Sequence, residues 1–143
     1  MSHIIVDVAN QLFKYSNKFI KIRCDPQMPI PAFSFIEEDI HGLFQPIIII
    51  NTSLITDNAS VIAHILAHEW GHHTLGHILH PNVSRNEREL EHTRKRKENE
   101  ADAYAAKFIK DHNYDINSIV FFIKQHPFDI KNRLNILQCG ANE

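Results

Sequence analysis

The chain has 143 residues, 43% of them apolar and 22% charged, with a formal net charge of −2, a composition that excludes a disordered or fibrous protein. A chain of this length buries roughly 70% of its unfolded surface, so one domain over residues 1–143 is expected, with a core that needs no disulfides and with Cys24 and Cys139 as free thiols. The slight negative charge argues against a nucleic-acid or membrane-surface binder, no apolar run approaches the ~20 residues of a membrane helix, and residues 1–15 carry no legible leader, so a cytoplasmic protein is expected.

In chain order, Ile4, Ile5, Val8, Leu12 and Phe13 recur at helical spacing and predict an amphipathic helix from His3 to about Lys18. Three strand-like runs follow, Phe19–Cys24, Ala32–Ile36 and Pro46–Thr52, with prolines 26, 29, 31 and 46 and Gly42 as turn punctuation. Their short connectors predict a small, mainly antiparallel sheet. Thr56, Asp57 and Asn58 offer N-caps for a helix running to about His77, and Pro81 lies beyond its end. A second long helix is expected from about Arg85 to Lys110, charged in its first half and carrying Ala101, Ala105, Phe108 and Ile109 as a buried stripe in its second. Shorter helices at Ile116–Gln125 and Ile130–Gln138 complete an α+β fold with a helical C-terminus.

Eleven residues are histidine, and six of them (His64, His68, His72, His73, His77 and His80) fall between positions 64 and 80. Within this cluster the informative segment is His68-Glu69-Trp70-Gly71-His72. Residues four apart share one face of a helix, so His68 and His72 can present two imidazoles to one metal ion. Glu69 can then take a proton from a water that the metal has acidified. His64/His68 and His73/His77 have the same spacing, but Ile65 and Thr74 occupy the position of the base.

A catalytic zinc takes three protein ligands. Leu75 and Ile78 stand where a metzincin would carry glycine and histidine. The third ligand is therefore sought in Glu98-Asn99-Glu100-Ala101-Asp102. Glu98 and Asp102 are one turn apart, so Glu98 could ligate zinc while Asp102 holds a ligand histidine from behind. Glu100, on another face, is the reserve ligand. Ala101 and Ala105 would let this helix approach the histidine helix closely.

HEWGH followed by ENEAD resembles the gluzincin metallopeptidases, whose third ligand is the glutamate of an ExxxD motif. Within them the chain is most similar to the CAAX-prenyl-protease-like family and its small soluble relatives, the minigluzincins. The matching elements run from His68 to Arg133. His77 matches a histidine often found after the family's HExxH, and His126-Pro127 with Arg133-Leu134-Asn135-Ile136-Leu137 resembles its C-terminal element. The resemblance implies a zincin-like domain, with the sheet packed against the HExxH helix and a glutamate-ligand helix. It implies one Zn²⁺ held by His68, His72 and Glu98, with Asp102 and His77 behind the ligands. Glu69 would be the general base of peptide hydrolysis, and His126 and Arg133 would stabilise the transition state, with Tyr104 a weaker candidate. It further implies that the strand Pro46–Thr52, just before the metal helix, pairs with an extended peptide. The larger members are membrane proteins; this chain has no spanning run, so their substrates do not carry over.

The expected partner is a peptide or protein substrate, without nucleic acid or membrane. Two alternatives stand beside this reading: a regulatory metallopeptidase acting on a dedicated protein partner, and a non-catalytic zinc-binding or partner-binding domain. For the remaining features simpler readings are expected. His73, His77 and His80 are solvated or support the site rather than forming a second metal centre. Arg94–Lys97 is a salt-bridged helix face, with Glu91 four residues before Lys95. Trp70 points away from the ligand face.

Overall fold

Ser2 opens the first helix, α1 (His3–Ser16), by accepting a hydrogen bond from the Ile5 amide, and Asn17 closes it in the left-handed region at φ 56°. Ile5, Val8 and Leu12 make its buried stripe, the spacing of one helix face. The computed structural model describes residues 2–55, 57–78 and 87–125, the first four of the last stretch as helical backbone alone.

Three strands follow, β1 (Lys21–Cys24), β2 (Ala32–Glu38) and β3 (Phe44–Ile50). The sheet is mixed rather than mainly antiparallel, in the order β1-β3-β2, with β1 parallel and β2 antiparallel to β3. The isoleucine run explains this arrangement. Ile47, Ile48 and Ile50 are all buried, so β3 presents apolar side chains to both faces and takes the centre, where both edges are paired. The chain between β1 and β2 is stapled by Asn51, whose Nδ2 donates to the Pro26 and Met28 carbonyls.

Asn58 caps the central helix, α2 (Ala59–Thr74), accepting from the Ser60 and Val61 amides, a cap that contributes about 1 kcal/mol. Twelve of its sixteen residues are buried, because α2 packs against α1, α3, α4 and both β2 and β3. It ends three residues earlier than periodicity alone suggests. Gly76 takes φ 72°, its amide bonds to the His73 carbonyl, and the His77 amide bonds to the His72 carbonyl. This paired C-terminal closure uses the glycine's freedom at positive φ and folds His77 back over the last turn.

The next helix, α3 (Glu87–Asp111), crosses α2. Ala101, Ala105, Ala106, Phe108 and Ile109 are buried, the stripe expected of its second half. Asn113 at φ 58° ends it in the same manner as Gly76 ends α2, with the Tyr114 amide on the Ile109 carbonyl. The last described helix, α4 (Ile116–Gln125), buries Ile119, Phe122 and Ile123. The expected helix at 130–138, with Cys139, lies outside the described residues; Cys24 is an exposed free thiol. Among the described residues no helix is long and apolar enough to cross a membrane.

Candidate metal centre

The exposed-looking charge of the His68–Glu69 region is misleading in sequence, since His68 and His72 are 7% and 8% exposed. They sit one turn apart near the end of α2, with rings nearly perpendicular at 86°. Glu98 reaches them from α3. The His68 and His72 Nε2 atoms are 3.1 Å apart, and each lies 3.0 Å from a Glu98 carboxylate oxygen. Two donors ~2.0–2.1 Å from a tetrahedral ion are separated by about 3.3 Å. Three side chains therefore already converge on the spacing of a shared ion, and this group could hold a metal. Glu100 does not join this group. The turn of α3 sends it to His77 Nε2 at 3.2 Å and to Arg96 at 2.8 Å.

Both histidines are oriented from behind. His68 Nδ1 lies 2.7 Å from buried Asp102; an ionised carboxylate only accepts, so Nδ1 carries a hydrogen and Nε2 is the ring atom that faces the site. His72 is set by a longer chain. His77 Nε2 donates to Glu100, which makes His77 Nδ1 an acceptor for His72 Nδ1–H at 3.1 Å. Again Nε2 of the ligand histidine is left free.

The electrostatics follow from these contacts. Burial works to lower the His68 pKa, but the hydrogen bonds that its ring donates to Asp102 and Glu98, with Glu69 nearby, push it up to about 10. Burial works to raise Glu98, and the two histidines outweigh it and hold its carboxyl far below the usual range. Without metal, a proton is thus held where the ion would sit. Burial lowers the pKa of His77 despite Glu100, in keeping with the neutral tautomer assigned above.

Glu69 lies beside this group, at the floor of a cleft of about 810 Å³. The walls differ in character. One is β2, with Phe33 and Phe35 stacked at 6.1 Å; the other is the first half of α3, contributing Arg94 and Lys97. The strand Pro46–Thr52 was expected to meet substrate, but β3 is the centre of the sheet with both edges occupied. Among the described residues the unpaired edge bordering the cleft belongs to β2.

Other expectations are redistributed. His73 is not solvated: it is buried, and its Nε2 donates to the Ile47 carbonyl at 3.0 Å, tying α2 to the sheet. His73 and His77 thus bind different partners, and His80 lies outside the described residues. Trp70 points into the core, its indole donating to Ser16 Oγ at 2.8 Å. Tyr104 packs on Gly71 and Tyr15 and does not line the cleft. Among the described residues the basic run forms the ion pair Arg96–Glu100 rather than Glu91–Lys95. Lys97 instead donates to the His77 carbonyl at 2.8 Å. His126 and Arg133 lie outside the described residues.

Two residues were not singled out by sequence reasoning. Ser34 contacts Glu69, and Gly71 receives Tyr104 so closely that an added Cβ would stand 3.0 Å from its ring. The inward face of β2 could have been read from its alternation; the Tyr104 contact joins distant segments and has no local signal. The chain was compared with family models, curated proteins and solved structures, and none of them matches it.

Proposed function

We propose that the chain is a zinc-dependent endopeptidase of zincin-like fold, similar to the gluzincins, with His68, His72 and Glu98 as zinc ligands and Glu69 as general base. The observation that carries this reading is the convergence of three side chains through contacts of 3.0–3.1 Å, beside Glu69 in an open cleft. Two imidazoles and one carboxylate are a donor set that zinc favours over the harder cations, which prefer all-oxygen sites. Zinc, when bound, supplies Lewis acidity, polarising the scissile carbonyl and lowering the pKa of an attacking water towards ~7.

The chain's own residues account for the rest. An extended peptide pairs its backbone with the open edge of β2, gaining affinity with little demand on its sequence. Glu69 accepts the proton of the attacking water and delivers it to the departing amine. Asp102 and His77 keep the two Nε2 lone pairs aimed at the ion. The aromatic wall of β2 and the basic wall of α3 favour segments that carry apolar and acidic side chains on alternate faces. A peptide or protein is the substrate in this reading.

The test is Glu69→Gln. The variant should bind one zinc as the wild type does and lose cleavage of an unstructured protein such as labelled casein. Equal cleavage by variant and wild type, or no zinc in the wild type, sinks the proposal. Retained zinc without cleavage in the wild type would favour the non-catalytic domain instead.

A further inference from the structure

Along β2, alternate residues face opposite sides of the sheet, and the inward set is Ala32, Ser34 and Ile36. Ser34 alone of these can hydrogen-bond through its side chain. It is 7% exposed, and its hydroxyl lies 2.5 Å from Glu69 Oε2 and 3.2 Å from the Glu69 carbonyl oxygen. Its one proton is therefore directed chiefly at the carboxylate. Glu69 is otherwise a long side chain on a cleft floor, with several rotamers open to it. A hydroxyl from the neighbouring strand selects one of them and occupies one carboxylate oxygen, leaving the other for proton transfer.

The strand that makes this contact is the one whose free edge borders the cleft. Substrate and base are therefore referred to one stretch of backbone. We propose that Ser34 is a positioning residue for Glu69, locking the general base in register with a peptide held on the edge of β2; this rests on the endopeptidase reading above. Pairing a peptide with β2 fixes the strand, and through Ser34 the same strand fixes the base, so a displacement of one carries the other with it. Misplacement of a reacting group by about 1 Å costs up to ~100-fold in rate.

The decisive comparison is Ser34→Thr against Ser34→Val in the zinc-loaded full chain. The two side chains have the same shape and differ in the hydroxyl. A quenched fluorogenic peptide, chosen from those the wild type releases from casein, is the probe. Ser34→Val should lose about 10- to 100-fold in kcat, with KM within about twofold and zinc stoichiometry unchanged, and Ser34→Thr should recover most of the loss. In a Glu69→Gln background the Val substitution should cost nothing more, since no base remains to be placed. Should the branched pair not fold, Ser34→Ala against wild type gives the same comparison. Equal kcat in the Thr and Val variants, or a loss confined to KM or zinc content, overturns the role of Ser34 while leaving the endopeptidase reading intact. No cleavage by the wild type, or cleavage by Glu69→Gln, overturns both.

Discussion

His77 Nδ1 lies 3.1 Å from His72 Nδ1, and the contact exists because α2 stops at Thr74. Had the helix continued to His77, the two rings would have projected from different faces of one cylinder. The left-handed turn at Gly76 brings His77 back instead, and Glu100 from α3 fixes its tautomer. A helix end and a neighbouring helix thus combine to orient the His72 ring.

Removal of this support should weaken metal binding without abolishing it. His77→Ala is expected to lower zinc affinity about 10- to 100-fold, the usual effect of losing a group that orients a ligand histidine. Glu100→Gln should cost less, since its carboxylate is partly solvated. Competition with a chromophoric chelator measures both; affinity unchanged in His77→Ala would mean that His72 is held by packing alone.

Asp102→Asn separates charge from shape behind His68. The buried carboxylate in the metal-free chain faces a protonated His68, and loss of such a charged hydrogen bond costs about 1.5–3 kcal/mol. The sign of the pH dependence follows from the raised His68 pKa. Its contribution to metal-free stability is full below ~6.5, the unfolded value, and is lost as pH rises through about 10. The stability gap between wild type and Asp102→Asn, measured by urea unfolding in chelator, should therefore narrow from pH 6 towards pH 10.

Metal itself should stabilise the fold through linkage. Zinc at 100-fold its dissociation constant adds about 2.7 kcal/mol, which raises the melting temperature by several degrees in a domain of this size. Glu98→Ala should abolish most of that rise, and Glu100→Ala should leave most of it. Thermal melts with zinc and with chelator make the comparison; an equal zinc effect in Glu98→Ala and wild type would remove Glu98 from the site.

The parts of the site that are spaced along one helix were legible in sequence, because 3.6-residue periodicity is local. His68 and His72 on α2, and Glu98 with Asp102 on α3, share faces by that rule, with Glu69 beside His68 singling out the histidine pair. Sheet order was not, since the parallel pairing of β1 with β3 depends on which strand can be buried on both faces. The expectation that the strand before α2 meets substrate failed for this reason: the isoleucines that make β3 a convincing strand also place it at the centre, and the edge passes to β2. Helix ends were misjudged where one glycine outweighed periodicity, as at Gly76.

Gly71, between Glu69 and His72, shows how α2 and α3 are brought close enough for Glu98 to reach the two histidines. An added Cβ there would stand 3.0 Å from Tyr104 Cδ1 and 3.1 Å from its Cβ and Cγ. The last two atoms are close to the α3 backbone, so the ring cannot simply swing aside, and Tyr15 packs against it edge-on at 5.8 Å. Gly71→Ala gains up to ~1 kcal/mol of helix propensity, yet must push α3 outward by a few tenths of an ångström or more. Glu98 rides on α3 about one and two-thirds turns before Tyr104 and moves with it. The variant is therefore expected to keep its helix content and bind zinc several-fold more weakly, and Gly71→Ala combined with Tyr104→Ala should recover part of the affinity by vacating the contact. Circular dichroism and the same chelator competition read the two quantities separately. Wild-type affinity in Gly71→Ala would show that the approach of α2 and α3 does not set the ligand geometry.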